Sequence, residues 1–313
     1  MTHQTNKRKP SLLVLLPAIV LLLASLACGL DLGNSNDVES LQLEQTRVAL
    51  QQTQVALDNL AQEAAPTEAP GDDIPAATSA PEEPVAQPDI SYEGISFSYG
   101  DTIAMGISPA TIPGQNKGED YMPGDTYPTY VEFRFNDYAI GDHFHTPIIN
   151  VYPVAEYRAI SPTAADIIDN LEWALANRPS GGSLSNLPFL PIWNAAQLFS
   201  AKVTYFDFQN GSGIRYLTMY GQAVSPVDNH NLFYTYQGLT DDGQYLISAV
   251  LPVYHLDLPD DGTTEVDDWF AFDQNWDTYI VGTLQWLNGQ DADNFTPSLS
   301  QLDEMMASFQ INR

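Results

Sequence analysis

Asp142, His143 and His145 form the most metal-like cluster of side chains in the sequence. If this segment is a strand, residues two apart point to the same side, so both imidazoles could meet one ion. Two histidines and one carboxylate are ligands that suit zinc or a similar metal. A further ligand is not identifiable, and Thr146-Pro147 indicates a loop edge. Exposed or hydrogen-bonded histidines are therefore the alternative interpretation.

The acidic segment 257–268 is the second candidate metal site. Its Asp260, Asp261, Asp267 and Asp268 offer carboxylate oxygens, which are the ligands that calcium prefers. The spacing of these acids does not match an EF-hand loop. A solvated acidic turn without an ion is the alternative interpretation of the same residues.

Motifs for nucleophilic catalysis are missing from the sequence. The segment Asn210-Gly211-Ser212-Gly213 does not have the Gly-x-Ser-x-Gly spacing of a nucleophile elbow, and it is typical of a hairpin turn. A Ser-x-x-Lys motif and a phosphate-binding glycine loop are also missing. We therefore expect a non-enzymatic protein, with an extracytoplasmic hydrolase that uses an acidic site as the alternative.

The charge balance excludes one large class of partner. The chain has 11 Lys and Arg against 40 Asp and Glu, a formal net charge of −29. Binding to nucleic acid depends on Lys and Arg that neutralise phosphates, so a nucleic-acid partner is excluded. Positively charged partners remain open, and the alternative is that the acids serve only solubility.

The N-terminus has the order of parts that is typical of an export signal. Basic residues at Lys7-Arg8-Lys9 precede an apolar run from Leu12 to Leu23, and small residues follow up to Cys28. The apolar run is short for a membrane-spanning helix, which needs about 20 residues, and it contains Pro17. The pattern therefore predicts a cleaved signal peptide over residues 1–27.

The segment Ser25-Leu26-Ala27-Cys28-Gly29 resembles the lipobox of bacterial lipoproteins. This resemblance implies cleavage before Cys28 and attachment of lipid to its thiol. It also implies a location at the outer face of the cytoplasmic membrane or in the cell envelope, with the membrane contacted through the lipid. An uncleaved signal anchor and an ordinary secretory peptide with an incidental cysteine remain alternatives.

Two segments separate the predicted anchor from the globular part. Residues 28–64 contain a predicted helix over 37–64, where a seven-residue repeat aligns Leu43, Leu50 and Leu57. This helix is either a weak self-association element or a lone spacer. Residues 65–88 are rich in Pro, Ala and Glu and predict a disordered linker, because such a segment cannot bury a core.

The globular domain is predicted over residues 89–313, and its fold class is α+β. Asn-Gly and Asp-Gly turns between alternating runs predict a four-strand antiparallel meander over about 201–253, with helices packed to one side. Further strands are predicted over 90–99, 102–107, 130–138 and 147–152, with a long loop over 109–128. Helices are predicted after Ser161-Pro162, within 269–288 and over 297–308, with a short helical turn over 194–199.

This order of an early strand pair, a central meander and a final helix that ends in Ser308-Phe309-Gln310-Ile311 is similar to the PsbP/Mog1 type of sandwich. The resemblance implies a fold and no activity. We therefore expect a membrane-anchored, extracytoplasmic lipoprotein whose domain binds a protein or glycan ligand, or supports envelope assembly. No cofactor is expected, apart from the zinc or calcium alternatives described above.

Overall fold

The computed structural model describes residues 89–118, 121–179 and 186–313. The predicted signal peptide 1–27, the lipid attachment site Cys28, the predicted helix within 28–64 and the linker 65–88 lie outside these residues. All described residues belong to one compact unit. None of the helices in the described part is long and apolar enough to span a membrane.

The described residues form short and long strands and a smaller number of helices. The strands are β1 (Ile90–Tyr92), β2 (Ile95–Phe97), β3 (Ala104–Ile112), β4 (Tyr130–Tyr138), β5 (Ile148–Pro153), β6 (Ala196–Gln197), β7 (Ala201–Phe208), β8 (Gly211–Thr218), β9 (Tyr220–Gly221), β10 (Phe233–Thr240), β11 (Tyr245–Pro252), β12 (Tyr254–His255), β13 (Phe295–Thr296) and β14 (Gln310–Ile311). The α-helices are α1 (Val154–Ile160), α2 (Pro162–Asn177), α3 (Trp269–Gln274), α4 (Trp276–Gly289) and α5 (Leu299–Ala307).

A seven-stranded antiparallel sheet in the order β3-β4-β5-β11-β10-β8-β7 is the centre of the domain. Its strands β7, β8, β10 and β11 are the predicted meander, in which Tyr236 lies opposite Arg215 on one side and Ala249 on the other. Gly243 has a φ of 67° in the predicted Asp-Gly turn, a value that glycine adopts without strain. The α+β class and the meander are thus confirmed.

Helices cover both faces of this sheet, whereas one covered face was expected. On one face, α4, α5 and the small sheet β1-β2-β14 pack against side chains such as Phe133 and Tyr236. On the other face, α1 and α2 pack against Ile214 and Tyr216. The reason lies in the central strands: every residue of β10 is buried, and a strand buried on both sides must be covered on both sides.

The first strands differ from the sequence prediction. Residues 90–99 form the hairpin β1-β2 instead of one strand, because Glu93 and Gly94 adopt positive φ values of 50° and 76°. The third strand continues to Ile112, into the predicted loop, and pairs with β4 instead of with the first segment. The predicted helical turn over 194–199 contains the short strand β6, which pairs with β9.

The three predicted helical segments are confirmed. Helix α2 begins at Pro162, and the side chain of Ser161 accepts a hydrogen bond from the backbone N–H of Ala164 at 3.2 Å. The segment 269–288 contains α3 and α4, which are separated only by Asn275. Helix α5 follows Ser298, whose hydroxyl donates to the Asp293 carboxylate at 2.5 Å and makes no cap bond.

Candidate binding groove

An open groove of about 690 Å³ lies between two loop segments and the helices α3 and α4. This volume is within the range of about 300–1,000 Å³ that is typical of ligand sites. Apolar and aromatic side chains predominate in its lining, and two carboxylates join them. The lining residues are Pro226, Val227, Asp257, Leu258, Pro259, Glu265, Val266, Phe272, Tyr279, Gly282, Thr283 and Trp286.

Buried polar side chains hold the loop wall of the groove in place. Asp228 is fully buried, and its carboxylate accepts hydrogen bonds from the backbone N–H groups of Asn231 at 2.9 Å and Gly262 at 3.0 Å. The side-chain amide of Asn229 donates to the carbonyl oxygens of His255 and Leu258. These bonds join the segments around residues 228 and 258. The buried polar groups of the loop wall are therefore paired, and the bonds hold the two segments together.

Gly262 explains how closely the two loop segments approach each other. A Cβ atom at this position would lie 2.8 Å from the Cβ of Pro226 and 3.3 Å from the Pro226 carbonyl oxygen. These distances leave no room for a larger residue without movement of the loop. The glycine therefore allows the 226–228 segment to pack against the turn that follows Asp261.

A row of aromatic side chains follows the helical side of the groove, and its members Phe272 and Tyr279 line it. We call Trp269, Phe272, Trp276 and Tyr279 the aromatic row. Ring centroids are 5.9 Å apart for Trp269 and Phe272, 5.2 Å for Phe272 and Tyr279, and 5.8 Å for Trp276 and Tyr279. Their spacing of three and four residues places them on one helical face, which continues across Asn275 because its carbonyl oxygen accepts from the Tyr279 N–H at 3.1 Å.

The aromatic row is only partly covered by the rest of the domain. Helix α3 has no buried residue, and α4 buries only Ile280 and Leu287. Trp276 and Tyr279 pack against the main core, as the apolar stripe of a surface helix usually does. In contrast, Phe272 is half-buried and Trp269 is 45% exposed. This accessible apolar face is the reason that we treat the groove as a binding site.

The charged residues that line the groove have one sign. No Lys or Arg occurs in the sequence between Arg215 and Arg313, while segment 257–277 contains many acids. Asp257 and Glu265 are exposed in the groove lining, and within the described residues neither forms an ion pair. The groove is therefore apolar at its base and acidic at its edges.

Two of the predicted calcium ligands cap helical turns. The Asp261 carboxylate accepts from the backbone N–H and hydroxyl of Thr263, and these bonds lower the pKa of Asp261. The Asp268 carboxylate accepts from the N–H groups of Phe270 at 3.0 Å and Ala271 at 3.1 Å, at the start of α3. Asp260 and Asp267 are exposed. In the described part of the chain, no group of three or more His, Cys, Asp or Glu side chains is placed to hold a metal ion.

His255 lies behind the groove and contacts its lining. Its ring meets the rings of Trp286 and Phe295 at centroid distances of 4.9 Å each. The backbone N–H of Asp257 donates to Nδ1 at 3.2 Å, so the neutral ring carries its hydrogen on Nε2. Nε2 is buried without a hydrogen-bond partner among the described residues, and the neighbouring aromatic faces are weak acceptors for such a donor.

The predicted zinc ligands Asp142, His143 and His145 share one loop but point to different partners. Nδ1 of His143 lies 2.6 Å from the His145 carbonyl oxygen, and the Asp142 side chain is fully exposed. The His145 ring stacks on Trp193 at 4.8 Å. Burial, with smaller effects from His143 and His230, lowers the pKa of His145 to about 4. The loop thus brings a third histidine close, since Nδ1 of His230 lies 3.1 Å from the Asp142 carbonyl oxygen.

The sequence analysis predicted a helix within 269–288 and did not predict the groove, because an aromatic stripe at helical spacing is usually part of a core. A signal for the groove was present: the aromatic residues at positions 269, 272, 276 and 279 follow the helical period, and acids occupy positions 267, 268, 273 and 277 around them. A helix with aromatic spacing inside an acidic segment without basic residues indicates an accessible apolar face.

Comparison of the chain with protein-family models, curated proteins and solved structures finds no match. The fold and the groove define the class of protein: an acidic α+β domain with an aromatic-lined groove between two loop segments and the helices α3 and α4.

Proposed function

We propose that this chain is a membrane-anchored, extracytoplasmic lipoprotein whose α+β domain is a binding module. The anchor is supported by the basic start, the apolar run and the lipobox-like residues that end at Cys28 and Gly29. The composition of residues 65–88 supports a tether that holds the domain away from the membrane surface. The PsbP/Mog1-type arrangement remains a fold-level proposal in which the sandwich serves as a scaffold.

The observation that carries the binding proposal is the groove with its accessible aromatic row. Water contact with apolar surface costs about 25 cal/mol for each Å². Accessible apolar side chains that line a groove mark a candidate site for a ligand or partner. The hydrogen bonds of Asp228 and Asn229 hold the loop wall in place before binding, so little ordering is needed when a ligand enters.

A hydrolase is the second candidate, because Asp257 and Glu265 line the same groove. Two carboxylates that flank one substrate are the minimum for acid–base hydrolysis of a glycosidic bond. Substitution of either carboxylate by its amide would abolish turnover of such a substrate, whereas a binding module would show no turnover before or after the change.

The anchor is tested with Cys28→Ser in cells. We expect the lipid label and the membrane fraction to be lost, because the thiol is the proposed attachment point. Unchanged lipid labelling would contradict the proposal for Cys28. Retention in the membrane without lipid would favour the uncleaved signal anchor instead.

The groove is tested with Phe272→Ala in a ligand screen that uses thermal stabilisation. A ligand that binds the folded state raises the melting temperature, and loss of the central ring of the aromatic row should remove this shift. The matched control is Trp173→Ala, which removes an exposed aromatic ring from α2. A ligand whose stabilisation is unaffected by Phe272→Ala would place the binding site elsewhere.

A further inference from the structure

The apolar surface extends past the edges of the groove. Leu256 precedes the lining residue Asp257 and is 80% exposed, and Trp269, whose ring centroid lies 5.9 Å from that of the lining residue Phe272, is 45% exposed. A small molecule that fills the groove would leave these side chains in water. A polypeptide segment with several apolar side chains would cover both the groove and its flanks.

The acidic edge selects the charge of that segment. Asp257 and Glu265 have no ion-pair partner among the described residues, and the nearest basic residues in sequence are Arg215 and Arg313. A cation beside these carboxylates is attracted to them, and no existing ion pair has to break first. The aromatic faces of the groove attract a cation as well. An acidic segment would instead be repelled by Asp257 and Glu265.

From these two features, we propose that the groove binds a cationic, amphipathic polypeptide segment, with Lys or Arg beside apolar side chains. This inference rests on the proposed function of the domain as a binding module. It disfavours a second copy of this chain as the occupant, because the formal net charge of −29 makes two copies repel each other. A neutral glycan could donate hydroxyl hydrogen bonds to these carboxylates, but unlike a cationic segment it would not neutralise their charge.

The probe is a synthetic helical peptide of Lys, Leu and Ala, added to the full lipidated chain in discs of zwitterionic bilayer. Surface plasmon resonance measures the dissociation constant after the signal of empty discs is subtracted. Three reference probes accompany it: the same peptide with Glu for Lys, a peptide of Lys, Gly and Ser, and an oligomer of N-acetylglucosamine. We expect saturable binding of the Lys-Leu-Ala peptide and weak or no binding of the three references.

Two pairs of substitutions separate the groove from the overall charge. We expect the double substitution Asp257→Asn and Glu265→Gln to raise the dissociation constant of the Lys-Leu-Ala peptide by roughly tenfold, since two favourable charge pairs are lost. The matched control is Asp166→Asn with Glu304→Gln, which removes the same charge from exposed positions on α2 and α5 and should change the constant less than about twofold. Equal effects of the two pairs would overturn the inference, because the binding would then follow net charge alone.

Phe272→Ala distinguishes failure of this inference from failure of the proposed function. If the Glu peptide or the sugar oligomer binds and Phe272→Ala weakens it, the groove is a binding site but its cationic specificity is wrong. If no probe depends on Phe272, the groove is not the binding site and both proposals fail.

Discussion

The hydroxyl of Tyr279 on α4 accepts a hydrogen bond from the backbone N–H of Val227 at 2.8 Å. This contact joins the helical wall of the groove to its loop wall, and it is made by two residues that both line the groove. Val227 is buried, and the Tyr279 hydroxyl is the acceptor for its N–H. The width of the groove is thereby coupled to one side-chain hydrogen bond.

We predict that Tyr279→Phe lowers the free energy of unfolding by about 1–3 kcal/mol, because the buried N–H of Val227 loses its acceptor. Denaturant unfolding of the purified chain measures this change. The control is Tyr254→Phe, a half-buried tyrosine whose hydroxyl has no hydrogen-bond partner in the described part of the chain. Equal stability of both variants would show that the Tyr279 contact does not hold the groove walls together.

The ion pair between Arg215 on β8 and Asp303 on α5 fastens this helix to the sheet. Nη2 of Arg215 lies 2.8 Å from Oδ2 of Asp303, and the hydroxyl of Tyr234 donates to the same carboxylate. Asp303→Ala removes the only carboxylate that pairs with the buried guanidinium among the described residues and leaves it one carbonyl acceptor, that of Lys202, so we predict a loss of about 3–5 kcal/mol in the free energy of unfolding.

The exposed pair between Arg178 and Asp207 is the matched control for Asp303→Ala. Because water screens both charges, Asp207→Ala should cost about 0–1 kcal/mol. Chemical denaturation of the two variants compares the pairs directly. A loss at Asp303 no greater than the loss at Asp207 would mean that α5 is held by its apolar contacts alone.

Protonation of His145 should destabilise the domain in mild acid. Burial lowers its folded pKa from 6.5 to about 4, so the unfolded chain binds a proton at a higher pH than the folded chain does. Stability from this residue is therefore complete above pH 6.5 and is lost as the pH falls towards 4. The shift corresponds to at most about 3 kcal/mol.

The measurement is the free energy of unfolding against pH for the unmodified chain and for His145→Gln. The difference between the two free energies should change between pH 6.5 and 4 and stay constant above pH 7. Taking this difference cancels the titration of the Asp and Glu residues, which both chains share. His143→Gln serves as the control from the same loop. A constant difference for His145→Gln throughout this range would show that the ring is not kept neutral by burial.

Asp268 should stabilise α3 as its N-cap, and its exposed neighbour Asp267 should not. Asp268→Ala removes the acceptor for the N–H groups of Phe270 and Ala271, with an expected cost of about 1 kcal/mol. Asp267→Ala makes the same change in charge one residue earlier. Thermal unfolding of both variants, with and without added calcium, measures the effects. If the calcium prediction is correct, calcium would stabilise the unmodified chain, and both substitutions would reduce that stabilisation.

Local turn and cap signals explain why much of the fold could be predicted. Asp242-Gly243 and Asn210-Gly211 mark sharp reversals between apolar runs, and Ser161-Pro162 marks a helix start, because each depends on neighbours in sequence. The pairing of β3 with β4 was not predictable in this way. This pairing depends on which distant segment offers a free strand edge. Strand β2 pairs with β1 and β14, so β3 pairs with β4 instead.

The functional residues also separate into those that local sequence specifies and those that distant segments specify. By itself, the sequence determined the strand meander, the helical segments, the strong negative charge and the anchor-like pattern that ends at Cys28. These features follow from composition and short-range spacing. Only the tertiary structure decided that Phe272 and Tyr279 line a groove. A side chain becomes buried or accessible according to segments far away in sequence, here residues 226–228 and 257–266, and no local pattern specifies how they meet.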